Sequence, residues 1–526
     1  MSSSSPNGSG APAERDRDPD RENAATTHWL RSRPLTSGPL LVDHVCALVA
    51  WANLLASTLT LLRVHRAVHW PTAATFLFGA PCAEWAHLVI AAQLANLALV
   101  RALHPSTFKS WAGQLLLLAN AAVLLRLGLV VRTALNSFAD FAGPMQREGR
   151  TARFSGARRP WLTMLLALVP LSAVSRRFKR LTVTRDLPYA DLDLVDAALA
   201  RRVRRTPKTI KRMNAYMGRG VASKWLSLDV ITSDPLPPPK SPVLIMSHGG
   251  GWCVGDKMFG GFATVRRLAS YGVVVFNINY RLAPDAAHPA QITDCKRALA
   301  WVKRNAAKWN GDPDKVFFMG ESAGGHLTAL MGVTSGTPHF LPGDLADLGL
   351  PTTPDASRLA GCIPVCGVFD WEDTDGNLRA LYPAFLDGAP SGMTPFLARF
   401  VVQMPFNPRT QHEFALASPV WHVREALRRG VVPEIPPFLV VHGDKDALAS
   451  LEDARVFYRE LQRLRARFGT WAKGETDVFV ECPGSHHATN VYLPSPRAAA
   501  LADAVADFVF HHSRRIDGSS RHDVHS

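Results

Sequence analysis

A serine set between glycines is the group best suited to covalent chemistry. Gly320-Glu321-Ser322-Ala323-Gly324 follows the apolar run KVFFM and precedes GHLTALMGV, which reads as a helix. A G-x-S-x-G in that strand-turn-helix setting predicts a nucleophile elbow, a turn so sharp that side chains at the glycines would strike the neighbouring strand and helix. The new helix aims its first N–H groups toward the serine. Upstream by 74 residues, His248-Gly249-Gly250-Gly251-Trp252 closes another apolar run. Successive glycines bring backbone close to a substrate carbonyl and point N–H donors at it, as an oxyanion loop must. The candidate donors are the N–H groups of Gly250, Gly251 and Ala323, with Trp252 as a wall of the acyl pocket. Either motif alone also fits an ordinary glycine turn; their order and separation argue for chemistry.

A serine hydroxyl needs a base, and the base needs a carboxylate to orient it. In α/β-hydrolases these follow the serine as acid, then histidine. PPFLVVHGDKDAL offers Asp444 and Asp446 at the end of an apolar run, and DVFVECPGSHHAT offers His486 and His487 after the next one. A lone loop Asp or His is usually solvated surface. Here the order and the positions at run ends favour the functional reading, while leaving each pair open.

HGGGW, the stretch YRLAPDAAHPAQITDC (Tyr280–Cys295), GESAGG, HGDKDAL and the GSHHA loop together resemble the hormone-sensitive lipase family, which includes bacterial carboxylesterases and arylacetamide deacetylase. The likeness runs over about residues 225–513. In that family the acid lies two residues past the Gly-Asp in a D-P-L context. That position is Asp446 here, with Ala447 in place of the proline. The family histidine precedes Gly or Ala and then Phe, which maps onto His487-Ala488 with Thr489 replacing the aromatic. Asp444 then becomes a turn residue, and His486 stays a competitor. The resemblance implies an α/β-hydrolase with a helical cap, hydrolysing carboxylic esters.

The mechanism expected from these residues is acyl transfer to Ser322 and then to water, with His487 moving protons and Asp446 fixing its ring. It calls for no metal and no organic cofactor. One rival is a prenylcysteine methylesterase, which also pairs membrane helices with an HGGGW-type hydrolase. Another is a non-catalytic ligand-binding protein on the same fold, as in gibberellin receptors. Retention of Ser322, Asp446 and His487 argues against the second.

The elements that must hold these groups read as short apolar runs alternating with helices. The runs are Leu226–Ile231, Val243–Met246, Val273–Ile278, Val316–Met319, Leu359–Val365, Phe438–Val441 and Val478–Val480. Helical stretches lie around 290–307, 323–333, 451–465 and 495–511. This alternation predicts a mostly parallel sheet covered on both faces, within a catalytic domain over 225–515. A Phe-, Leu-, Met- and Pro-rich insertion at about 371–423 reads as a lid whose Phe385, Phe396, Phe400 and Met404 line either an apolar acyl site or the lid's own core. Residues 181–224, with ARRVRRTPKTIKR, read as a basic helical connector.

The first third of the chain differs in kind. Residues 1–36 form a polar tail too poor in apolar groups to order itself, and the first apolar run starts near Leu40, too far in for a cleaved leader. Residues 37–180 carry runs at Pro39–Leu62, Ala83–Val100, Trp111–Val131 and the shorter Pro160–Val174, predicting an all-α, multi-pass membrane region of three or four helices. Arg126 is a costly charge inside the third run. The net charge is +15, with basic clusters such as Arg176, Arg177, Lys179 and Arg180 beside apolar segments. That placement suits the anionic surface of a lipid bilayer, and no nucleic-acid module is visible. Seven scattered cysteines give neither a disulfide framework nor metal spacing; Cys362 and Cys366 read as buried small side chains. The final residues, 516–526, read as a second disordered tail.

Overall fold

The computed structural model describes residues 83–103, 109, 111–147, 180–191, 225–258, 261–376, 393–431, 434–446, 448–469, 477–488, 491 and 495–522. The tail 1–36 and the runs 39–62 and 160–174 lie outside them.

Eight strands form one sheet in the order β1-β2-β4-β3-β5-β6-β7-β8. They are β1 (Arg180–Asp191), β2 (Trp225–Asp234), β3 (Ser241–Ser247), β4 (Val274–Ile278), β5 (Gly311–Glu321), β6 (Gly361–Val365), β7 (Leu439–Gly443) and β8 (Val478–Cys482). β1 and β2 pair antiparallel, as do β2 and β4, and every later pairing is parallel. A mostly parallel sheet with this strand order fits an α/β-hydrolase.

Parallel strands need crossover helices, which cover both faces and make the strands apolar throughout. All seven residues of β3 are buried. Its alternate side chains feed different cores: Val243 and Ile245 join one, Leu244 and Met246 the other. The first core also takes α4 (Ala290–Asn305), α5 (Ala323–Val333), α7 (Pro419–Arg429) and α8 (Leu451–Phe468) through Leu299, Leu327, Val423 and Phe457. The second takes α3 (Phe262–Ser270) and α9 (Pro496–His522) through Leu268, Leu501 and Phe508. The short helix α6 (Gln411–Ala417) leads into α7.

Three expected boundaries are corrected. Residues 180–191 are a strand, not a helical connector: Leu181 and Val183 pack on the second core. After a register shift between Thr184 and Leu187, the side chains of Leu187 and Tyr189 reach the first core. A bulge turns a strand's faces in just this way. The charges of Arg185 and Asp186 hide an alternation that reads Leu-Thr-Val-Thr. The remainder of the supposed connector, 192–224, lies outside the described residues. Second, α9 continues to His522, so residues 516–522 are helical, and Asp517 there pairs with Lys315 at 2.6 Å. Third, the catalytic unit does not begin at 225.

The region read as membrane contributes to the second core of the sheet. It supplies α1 (Ala86–Leu103) and the 37-residue α2 (Trp111–Arg147). Among the described residues one helix, spanning Gly113–Met145, is long and apolar enough to cross a bilayer; Ala86–Ala102 is a shorter apolar helix. Leu115, Leu118, Leu125 and Leu129 of α2 are exposed, whereas Phe138, Phe141 and Met145 belong to the second core of the sheet. A single helix therefore leaves an apolar half outside and buries its other half in the hydrolase fold.

Candidate active site

The parallel strands deliver their loops to one edge, where such folds gather chemistry. Gly250 and Gly251 follow β3, Ser322 follows β5, Asp446 follows β7 and His487 follows β8.

Ser322 occupies the elbow itself, with φ 56° and ψ −119°. A left-handed φ at a non-glycine costs on the order of 1–3 kcal/mol, which the surroundings must hold in place. They do so through backbone: Ser322 N–H donates to Val365 O at 2.9 Å, and His326 N–H donates to Ser322 O at 2.9 Å. A Cβ on Gly320 would strike Ser247 Oγ and Gly324 O, and one on Gly324 would strike the Ser247 and His248 carbonyls. The two motif glycines thus allow β3, the turn and α5 to meet.

The oxyanion loop is fastened from several sides. Glu321, the buried residue before the serine, accepts Gly249 N–H on Oε1 at 2.8 Å. That removes Gly249 as a donor to substrate. The N–H groups of Gly250, Gly251 and Ala323 donate to no acceptor among the described residues. Gly250 has φ +112°, and a Cβ there would run into Val254 O. Tyr280 stacks on His248 at 4.4 Å and donates its hydroxyl to His248 O at 2.8 Å.

Trp252 is 1% exposed, so it anchors the loop from within. Its Nε1–H donates to His326 Nδ1 at 3.1 Å, and His326 Nε2–H donates to Ala417 O at 2.8 Å. Burial lowers the His326 pKa to about 3, which suits a ring that must accept on one nitrogen. Trp371 stacks on His326 at 4.4 Å and meets Trp252 edge-on at 4.9 Å. Of the lid residues, Phe396 and Phe400 are buried in the first core and Met404 packs against it; Phe385 lies outside the described residues.

His487 Nδ1 donates to Asp446 Oδ2 at 2.8 Å. The other carboxylate oxygen, Oδ1, accepts Leu448 N–H at 2.8 Å and Ala449 N–H at 2.9 Å. Burial by itself would raise the Asp446 pKa, but the charge of His487 and hydrogen bonds from His442 and His487 outweigh it, holding the carboxyl well below the usual range. Asp444 faces another way, accepting Gly484 N–H at 2.6 Å, which is the work of a turn residue. His486 is buried beside His487.

Ser322 Oγ makes no hydrogen bond to the His487 ring among the described residues; the two are related through the end of β6. Val365 O holds the serine's backbone, and the next residue, Cys366, accepts Ala488 N–H on Sγ at 3.4 Å. Cys366 Sγ also lies within 4.8 Å of ligating atoms of Asp446 and His487. These three groups are no ready metal cradle: the carboxylate and the imidazole are already hydrogen-bonded, and burial pushes the Cys366 thiol pKa far up. Catalytic serine–histidine contacts are often long without substrate and tighten when it binds.

Glu321, Tyr280, His326 and the β6 strut were not singled out by sequence reasoning. Glu321 stands inside the G-x-S-x-G motif and Tyr280 opens YRLAPD, so motif membership was the available signal.

The family model described as BD-FAE matches residues 228–461. The chain is 34% identical over 290 residues to "Esterase LipC" of Mycobacterium tuberculosis, a match covering 55% of this chain and 63% of that one. It is 34% identical to "Probable carboxylic ester hydrolase LipM" of the same organism, covering 51% and 54%. To "Probable isoprenylcysteine alpha-carbonyl methylesterase ICMEL1" of Arabidopsis thaliana it is 25% identical, covering 46% and 47%. The chain thus spans less than two thirds of the length of each of these relatives. Among solved structures, Esterase B of Lactobacillus rhamnosus superposes with a TM-score of 0.43 at 18% identity, covering 69% of this chain and 99% of that one.

Proposed function

We propose that this chain is a serine carboxylic-ester hydrolase, with Ser322 as nucleophile, His487 as base and Asp446 as the orienting acid. The observation that carries the reading is the 2.8 Å Asp446–His487 pair, tied through the end of β6 to the strained Ser322 turn. Similarity to proteins named esterases supports the reaction class.

Ser322 Oγ attacks the ester carbonyl while His487 Nε2 takes its proton, and Asp446 stabilises the imidazolium that forms. The carbonyl oxygen, now negative, meets the N–H groups of Gly250, Gly251 and Ala323. Loss of one such donor typically costs about 3–4 kcal/mol of barrier. The imidazolium then protonates the leaving alkoxide, giving the alcohol and an acyl-serine. A water, activated by the same ring, releases the acid. The apolar face of α2 favours an apolar acyl or lipid ester drawn from a bilayer, to which the chain is attached through that helix.

The similarity to ICMEL1 favours a second reading, a prenylcysteine methylesterase. The test measures hydrolysis of p-nitrophenyl esters of graded acyl length against prenylcysteine methyl esters, with the full chain in detergent and Ser322→Ala as control. Acyl esters should be cleaved with the higher kcat/KM, and Ser322→Ala should lower the rate by about 10³-fold or more. Preference for the methyl ester selects the second reading, and an undiminished Ser322→Ala rejects both.

A further inference from the structure

Asp446 serves two imidazoles. Besides His487 it meets His442, the penultimate residue of β7, and the side chains of His442 and Asp446 are fully buried. His442 Nε2 lies 3.2 Å from Asp446 Oδ2, the oxygen that also accepts His487 Nδ1–H at 2.8 Å. It lies equally 3.2 Å from the Ala449 carbonyl. Both neighbours can only accept, so Nε2 must carry the hydrogen and share it between them. His442 Nδ1 is buried with no hydrogen-bond partner, so a hydrogen placed there would have no acceptor.

The carboxylate is thereby surrounded. Leu448 and Ala449 donate to Oδ1, and His487 and His442 donate to Oδ2. The titratable groups that face Asp446 include His487 from the last loop, His442 from β7 and the Cys366 thiol from the end of β6. Asp444 is turned onto Gly484. Each donor withdraws part of the negative charge that Asp446 offers to the ring of His487. A donor on the same oxygen as His487 has the greatest leverage.

We infer that His442 is a positioning residue which, through Asp446, sets the orientation and basicity of the catalytic imidazole. The inference rests on the triad proposed above. His442 touches neither substrate nor reacting atoms. Its effect is to fix the rotamer of Asp446 and to moderate the pull of the carboxylate on the proton of His487. Without that donor, Asp446 stabilises the imidazolium more strongly, and the base comes free only at higher pH.

The experiment follows kcat and KM against pH for the full-length detergent-purified protein, using p-nitrophenyl butyrate. His442→Leu removes the donor, His442→Gln retains an amide N–H at similar reach, and Ser322→Ala is the control. In His442→Leu, kcat should fall about 10- to 100-fold, the scale of a lost hydrogen bond to a charged group, with KM little changed. The acid limb of kcat/KM should move up by roughly half a unit or more. His442→Gln should restore the limb and most of kcat, which a merely space-filling role for the ring would not require. Histidine-¹⁵N spectra of the unmodified protein give a readout independent of folding: the His442 hydrogen should sit on Nε2. A hydrogen on Nδ1, or a limb that stays in place in His442→Leu while Ser322→Ala is inactive, overturns the inference. An active Ser322→Ala overturns the triad beneath it instead.

Discussion

Asp446 carries a large share of the site's order, because four donors converge on its two buried oxygens. Replacing it by Asn keeps the shape but turns one oxygen into an N–H group facing other donors. The His487 ring then loses its preferred tautomer, and kcat should drop by about 10³- to 10⁴-fold. The same contacts predict a stability effect. The folded-state pKa lies below the unfolded value of about 3.9, so ionised Asp446 stabilises the fold above that pH. The contribution fades as pH falls from there toward the folded value. Thermal unfolding of the wild type should therefore weaken below about pH 4 more steeply than that of Asp446→Asn. Parallel curves would show that Asp446 contributes no such term. Chain order brought forward Asp444, Asp446, His486 and His487, and the family resemblance chose Asp446 and His487 among them. Neither could disclose Glu321, whose partner Gly249 follows a neighbouring strand, or His442, whose partners Asp446 and Ala449 come within reach only through the fold of the loop after β7. Between Asp444 and Asp446 the residue pattern was neutral, and the side chain's direction decides: one caps a turn, the other meets an imidazole.

At the scale of elements, the helices of the first third form part of the support behind the loop that carries His487. Arg497, fully buried near the start of α9, lies 3.5 Å from Glu84 Oε1 and donates to Ala83 O at 3.3 Å. A Cβ on Gly484, in the loop leading to His487, would stand 2.8 Å from Arg497 and 3.6 Å from Thr133 of α2. Glu84, Arg497, α2 and the histidine loop therefore meet at one place. Breaking a buried ion pair leaves an unpaired charge, at a cost of about 3–5 kcal/mol. Glu84→Gln should lower the melting temperature by several degrees and reduce esterase activity with it. A chain cut to start at residue 181 should fare worse, since it also exposes the cavities left by Phe138, Phe141 and Met145. Unaltered melting in Glu84→Gln, or a stable and active truncation, would contradict this account. Strands β2 to β8 were legible as short, mainly apolar runs between turn residues, whereas the charges within β1 concealed it. The double role of α2 was less so: its leucine-rich start masks a change of period. Polar Arg132, Asn136 and Asp140 and apolar Phe138, Phe141 and Met145 recur at helical spacing, the mark of a one-sided packing face.

For the molecule as a whole, the question is what covers the outer half of α2. Leu115, Leu118, Leu125 and Leu129 are each more than half exposed, and Trp111 is 79% exposed. Burying a leucine is worth about 1.5–3 kcal/mol, so four of them favour a hydrocarbon environment well beyond the reach of one scattered surface residue. Arg126 opposes insertion, but its long stem can carry the charge toward the headgroups. The net charge of +15 adds attraction to anionic lipid. These forces act on a helix whose far end is fixed in the hydrolase core, so attachment would hold the site at a set distance from the bilayer. Placing lysine at two exposed positions, Leu118→Lys with Leu125→Lys, costs about 2.5–3.5 kcal/mol each at the centre of a span. Those positions lie outside both cores of the sheet, so the catalytic fold should be untouched. The double variant should therefore leave vesicles of mixed neutral and anionic lipid and appear in the soluble fraction on flotation. Its activity on a water-soluble ester should persist, while activity on a vesicle-embedded ester falls. Should the variant still float with the vesicles, this face of α2 is not what holds the protein to the membrane. Were both activities lost together, the exposed leucines would instead be packing against another part of the chain.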